Sequence, residues 1–172
     1  MNRHLDKLLI AAIVLLAVGL VWVVSGTLDV KVTNAGDTAP EFSVTADDGK
    51  TITRDNFGGK LLVLNFWASW CGPCIAEAPS LEAFARQMRP EGVVVLGISN
   101  DANEKFYHRF IDRFGITFET ARDPQSDISA GYGTFLLPET YLIDRNGKVL
   151  EKVISDQNWM DPEFVARVRR ML

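Results

Sequence analysis

Two cysteines are all that a chain of 172 residues contains, and they stand three positions apart in Phe66-Trp67-Ala68-Ser69-Trp70-Cys71-Gly72-Pro73-Cys74. The setting of that pair limits what the chain can fold into. The apolar run Leu61-Leu62-Val63-Leu64 leads in, and a helical pattern leads out from Pro73. A strand therefore delivers the cysteines to the start of a helix. There the unpaired N–H groups and the positive end of the helix dipole favour a thiolate over a thiol. Gly72 allows a sharp turn, and Pro73 suits the first helical position, where its missing N–H would be unpaired anyway.

Two plainer uses of the pair fit less well. A bridge closing so short a loop removes little chain entropy and makes a poor staple. A zinc site needs about four ligands, and beyond the cysteines the chain offers only His4 and His108. His4 flanks an apolar N-terminal run, which leaves the count short, so no metal is expected. The pair is read as a redox dithiol. Cys71, at an exposed helix N-cap, is the expected nucleophile, and Cys74, one turn deeper, the resolving thiol.

The remaining sequence suits one globular domain behind a membrane helix. Hydrophobic residues make up 47% and charged residues 23%, an ordinary balance. The net charge of −4, without a basic block or basic-aromatic stripe, argues against nucleic acid as a partner. Leu8 to Val24 is an unbroken apolar run of 17 residues, the short end of a membrane span. Arg3 and Lys7 precede it, while Asp29 and Lys31 balance after it. The positive-inside rule then keeps the N-terminus in the cytoplasm and sends the domain across. A cleaved signal peptide ending near Val24-Ser25-Gly26 is the rival, against which the run is long for a signal sequence. Either outcome places the dithiol in a disulfide-permissive space. The expected organisation is an anchor over 1–26, a linker over 27–38 and a domain over 39–172.

Within the domain, Phe42–Val44 and Thr51–Thr53 flank the turn Asp47-Asp48-Gly49 as a hairpin. The loop Asn56-Phe57-Gly58-Gly59-Lys60 enters a buried strand over Leu61–Phe66. The next helix places Cys74, Ala78, Leu81, Ala85 and Met88 on one face, with a kink expected at Pro79. Val93–Ile98 is a second central strand, and a helix runs from about Ala102 to Phe114. Phe118 sits in a short segment, and a helical turn falls around Asp127–Gly131. Asn146-Gly147, between Thr140–Asp144 and Lys148–Ile154, signals a second hairpin. Asp161 caps a closing helix whose first residue is Pro162. The fold class is α/β, a mixed sheet with helices on both faces.

These residues carry a resemblance. Residues 36–154 resemble the membrane-anchored thioredoxin-like proteins of the TlpA/ResA/CcmG group, thiol-disulfide oxidoreductases of the bacterial cell exterior. The matching pieces are Gly36 to Phe42, Asn65 to Cys74, Glu77, Pro79, Tyr132-Gly133 and Pro138 to Asp144. The resemblance implies a thioredoxin fold with an extra N-terminal hairpin and a central insertion, here about Asp101 to Gln125. It also implies that Pro138 is a cis-proline opposite the cysteines, which residue statistics alone would have made trans. Many relatives carry Gly two residues before that proline, where this chain has Leu136, followed by Leu137. The bulky pair changes the surface that a substrate meets beside Cys71.

Glu77 lies three residues beyond Cys74, and by its position alone it would be a solvated helix glutamate. The resemblance implies instead an acid that handles the proton of the deeper thiol. Asn65 adds to that, because thioredoxin itself resembles this strand but carries an aspartate there. Trp67 is expected in the core and Trp70 on the apolar rim that a partner meets. With Gly72, Pro73, Leu137 and Pro138, Trp70 shapes the site; His108 reads as surface.

By resemblance the protein is a reductant of protein disulfides that draws electrons from a transmembrane thiol transporter. A client would be the Cys-x-x-Cys-His haem site of apocytochrome c, in cytochrome c maturation. No bound cofactor is implied beyond the Cys71/Cys74 couple. The alternatives are a disulfide-introducing oxidase, a peroxidase lacking its usual Thr-x-x-Cys setting, and a non-catalytic chaperone or adaptor.

Overall fold

The computed structural model describes residues 3–27, 32–46, 49–57 and 60–172. The expected turn residues Asp47 and Asp48 and the loop residues Gly58 and Gly59 lie outside the described residues. Two compact units divide between residues 31 and 32. The first contains one helix, α1 (Arg3–Thr27). Its stretch Lys7–Val24, with mean hydropathy 2.7, is long and apolar enough to cross a membrane. Every described side chain from Lys7 to Val24 is exposed.

The second unit is built on a five-stranded sheet in the order β5-β4-β3-β6-β7. Its strands are β3 (Leu61–Trp67), β4 (Val93–Ser99), β5 (Glu119–Arg122), β6 (Glu139–Ile143) and β7 (Val149–Ile154). β4 lies parallel to both β3 and β5, while β6 is antiparallel to both β3 and β7. The sheet is therefore mixed. A separate antiparallel hairpin joins β1 (Ser43–Thr45) to β2 (Thr51–Thr53). The helices are α2 (Gly72–Met88), α3 (Glu104–Phe114), α4 (Asp127–Gly131) and α5 (Pro162–Arg169).

Central strand β3 is buried along its whole length, as an uninterrupted apolar run requires. Its side chains alternate between two cores. Leu62, Leu64 and Phe66 pack with the hairpin residues Val44 and Ile52, with Tyr132, and with Ile128 of α4. Leu61 and Val63 face α2 and α5 through Leu81, Phe84, Trp159 and Phe164. Trp67 joins Cys71, Cys74, Ala78, Tyr107 and Phe110 in a third cluster, where α3 meets the start of α2. Helices thus lie on both faces: α2, α3 and α5 on one, α4 with the hairpin on the other.

Three expectations shift. The helix after β4 starts at Glu104, because the Asn103 side chain accepts the Lys105 N–H at 3.0 Å and caps it there. The insertion holds a strand as well as a helix, β5 at the sheet edge. Part of the expected linker 27–38 is bound to the domain. Thr33 N–H donates to Tyr132 O at 3.0 Å, Gly36 N–H donates to Val149 O at 2.8 Å, and Thr38 bridges Lys148. Backbone pairing needs no apolar periodicity, so only the match from Gly36 onward, and no local pattern, pointed to it.

Candidate active site

Cys71 is the N-cap of α2 and its backbone is extended, so the chain leaves β3 and turns into the helix at the first cysteine. Gly72 is then the first helical residue and Pro73 the second, one place later than expected. Pro73 still falls among the positions whose N–H groups have no partner within the helix. Cys71 and Cys74 are joined in a disulfide, with Cα atoms 5.2 Å apart. The Cys74 N–H points at Cys71 Sγ from 3.2 Å. In the reduced protein that donor would stabilise charge on Cys71.

The N-cap is not exposed as expected. Cys71 retains 5% of its surface and Cys74 2%. The peptide bond Leu137–Pro138 is cis, as the resemblance implies, and it carries Leu137 against the cysteines. The Leu137 carbonyl oxygen lies 3.3 Å from Cys71 Sγ. With the disulfide closed neither atom has a proton, so the contact is van der Waals; a Cys71 thiol could donate there. Gly72, Pro73, Trp70, Phe135 and Leu136 remain exposed around the covered sulfur atoms.

Glu77 is buried, with 2% of its surface exposed, and not the solvated residue that its spacing alone suggests. Asn65 Nδ2 donates to Glu77 Oε1 at 3.0 Å. Trp159 Nε1 and the Gln157 N–H donate to Oε2 at 3.0 and 3.2 Å. Asn65 also donates to Thr140 Oγ1 at 2.8 Å, tying the site to β6. Burial pushes the Glu77 carboxyl up from 4.5 to about 7, against the three hydrogen bonds and helped by the charge of Asp156. Cys74 and Glu77 line one narrow cavity with Trp67 and Phe110. A deep sulfur and a carboxyl group that ionises near neutrality therefore share one apolar space.

The geometry has counterparts among known proteins. The AhpC/TSA family profile matches residues 35–152. Thiol-disulfide oxidoreductase ResA of Bacillus thuringiensis is 33% identical over 156 residues, covering 91% of this chain and 90% of that protein. The chain belongs to the thioredoxin-like thiol-disulfide oxidoreductases of the TlpA/ResA/CcmG group. The Chlorobium tepidum structure described as a thiol:disulfide interchange protein DsbE is 29% identical, with a TM-score of 0.71 over 81% of this chain and 95% of that one. StoA of Bacillus subtilis, at 20% identity, shares the fold with a TM-score of 0.63 over 77% of this chain and 96% of that one.

Within this ResA-like frame the structure gathers Cys71, Cys74, Gly72, Pro73, Leu137 and Pro138 at one end of β3, with Glu77 behind them. Trp67 is buried and lies against Phe110 and Tyr107, with ring centroids 4.2 and 5.8 Å away. Trp70 is 70% exposed. His108 is half-exposed, and its Nε2 lies 3.5 Å from Glu104.

Sequence reasoning missed three groups. Trp159 and Gln157 reach Glu77 from about eighty residues downstream, a contact no local spacing can show. Buried Asp101 accepts from the Ser69 N–H at 2.8 Å, Ser69 Oγ at 2.7 Å and Ser99 Oγ at 2.8 Å, pinning the loop that leads to Cys71. Glu139, directly after Pro138, takes Lys152 Nζ at 2.7 Å, Thr134 Oγ1 at 3.1 Å and the Tyr141 hydroxyl on one oxygen. Burial and the adjacent carboxylate push the Tyr141 hydroxyl well above its ordinary range, so it stays a neutral donor. The signal available was the acid following a matched proline, and its charge partner sits on another strand.

Proposed function

We propose that the protein reduces disulfides of client proteins on the outer side of the cell membrane. Cys71 is the nucleophile. Its thiolate attacks one sulfur of a client disulfide, forming a Cys71–client bond and releasing one client thiolate. Cys74, having passed its proton to Glu77, then attacks Cys71 Sγ. The Cys71–Cys74 disulfide closes and the second client sulfur leaves as a thiolate. Two electrons pass to the client, and a transmembrane thiol transporter restores the dithiol. The haem-binding Cys-x-x-Cys-His segment of apocytochrome c is the client that the group resemblance favours.

The observation that carries this reading is the disulfide at the α2 N-cap with the buried Glu77 carboxyl in the same cavity as Cys74. Arg3 and Lys7 before the apolar run support the outward orientation.

The reduction potential tests the direction. The full chain in detergent is equilibrated with dithiol buffers, and the reduced fraction is read by alkylation. A potential near or below thioredoxin's, about −270 mV, is expected. A value near that of the strong oxidant DsbA, about −120 mV, would reverse the reading: the protein would then introduce disulfides, and cytochrome c maturation would no longer be the process served.

A further inference from the structure

Helix α3 lies beside the dithiol, with Tyr107 and Phe110 packed against Cys71 and Cys74. It carries two rows at four-residue spacing. Lys105, Arg109 and Arg113 form an exposed one; in the other, Phe106 is exposed, Phe114 is half-buried and Phe110 turns into the cluster around the cysteines. Between them and the active-site loop runs a groove lined by Ser69, Ile75, Phe106, Arg109, Phe110 and Arg113. Phe106 leaves 49% of its surface in solvent.

Among the described residues, Arg109 and Arg113 belong with Arg89, Arg145 and Arg170 to the arginines that close no ion pair. Arg54, Arg86, Arg122, Arg167 and Arg169 each close on a carboxylate. Arg109 and Arg113 instead lie over the rings of Phe106 and Phe114, at 5.6 and 5.0 Å from the centroids. Neither makes an ion pair among the described residues, although the chain has a net charge of −4. Like charges one turn apart on a helix are mildly destabilising. Here they stand at the edge of the redox site, above exposed aromatic surface, where an incoming acidic group would offset that repulsion.

We infer that this groove docks an extended client segment carrying acidic side chains at alternate positions next to its disulfide. Four helical residues rise about 6 Å, and two residues of an extended strand rise about 6.6 Å. The Arg109–Arg113 repeat therefore matches the i, i+2 spacing of acids on one face of an extended client. The apolar residues of the client would lie on Phe106 and Ile75. The inference rests on the proposed reductant reading and adds the chemistry by which a client is chosen.

The test compares three peptides with one Cys-x-x-Cys disulfide, flanked by Glu-Ala-Glu, Gln-Ala-Gln or Lys-Ala-Lys. The reduced full chain in nanodiscs of zwitterionic lipid is the reductant, with neutral 2-hydroxyethyl disulfide as a control. The acidic peptide is expected to show about fivefold higher kcat/KM than the basic one, as two surface ion pairs would give. The preference should fade in 1 M salt and reverse in R109E/R113E, while the control disulfide is reduced at an unchanged rate. Equal rates for the three peptides, or a preference that survives charge reversal, would overturn the inference. So would an arginine effect that appears only on nanodiscs containing phosphatidylglycerol, which would make the row a membrane contact. Loss of reaction with the control disulfide in the unaltered protein would instead sink the reductant reading itself.

Discussion

At the scale of single residues, Glu77 has the most consequence for how the protein responds to pH. A carboxyl raised from 4.5 to about 7 by burial still holds its proton in the folded protein over a range where the unfolded chain has released it. The folded state binds more protons there, so stability falls as pH rises through that window. The penalty is absent below about 4.5 and complete above about 7, and it amounts to about 3 kcal/mol. Glu77→Gln removes the ionisation and keeps an acceptor for Trp159 and Gln157. The variant's stability advantage over the natural protein should therefore grow from pH 4.5 to pH 7 and then level off. Denaturation midpoints of the two oxidised proteins across that range provide the check; parallel pH profiles would mean that burial does not oppose the charge. The proton role has its own measurement, the pH profile of dithiol reactivity, which Glu77→Gln should shift. An unchanged profile would separate Glu77 from the chemistry. The cysteines and the glycine-proline turn were legible because they lie within four residues, and Glu77 was singled out by the resemblance. What makes Glu77 a buried acid was not legible, since Trp159 and Gln157 arrive from the segment after β7.

At the scale of elements, the close fit between β4 and the aromatic layer rests on one glycine. A Cβ at Gly97 would stand 2.9 Å from Trp67 Nε1 and 3.0 Å from Phe118 Cε2. Trp67 cannot yield easily, held as it is against Phe110 and Tyr107. Gly97→Ala should cost about 1–3 kcal/mol by overpacking and disturb the near-ultraviolet circular dichroism of the indole. Gly131→Ala, with open space around the added methyl, should leave stability within about 1 kcal/mol. Equal effects of the two substitutions would refute the packing argument. The loop bearing Pro138 rests on a different support, the ion pair of Glu139 and Lys152, whose side chains are 4% and 10% exposed. Lys152→Met leaves a buried carboxylate without its cation and should destabilise by about 3 kcal/mol. Adding Glu139→Gln should recover most of that loss, and equal midpoints for the single and double variants would show that the pair is not coupled. Periodicity revealed β3, β4 and the helices, each with a continuous or striped apolar pattern. It could not reveal β5, Glu119-Thr120-Ala121-Arg122, which buries Ala121 alone. That segment is a strand because its backbone finds β4 beside it, a tertiary cause without a local signature.

At the scale of the whole molecule, the arrangement of the chain about a membrane decides whether the dithiol can act as proposed. The resemblance supplied the thioredoxin fold and the cis Leu137–Pro138 bond, neither of which hydrophobic pattern alone could fix. The membrane argument rests on physical grounds within the chain itself. The 18 residues Lys7–Val24 rise about 27 Å, the short end of what a hydrocarbon core of about 30 Å needs. Arg3 and Lys7 precede the apolar run while Asp29 and Lys31 balance after it, so the positive-inside rule predicts that the N-terminus stays inside. The apolar run exceeds the usual signal-sequence core of roughly 7–15 residues, so the helix should remain attached. Alkaline phosphatase fused after Leu172 should therefore be active, green fluorescent protein fused there should be dark, and carbonate washing should leave the full-mass chain in the membrane. Replacing Arg3 and Lys7 by glutamate should lower the exported share. A dark phosphatase and a bright fluorescent fusion would place the dithiol among the thiol-reducing systems of the cytoplasm. There the Cys71–Cys74 pair would meet a pool that already keeps thiols reduced, and a membrane-fed reductant would have no disulfides of exported proteins to act on.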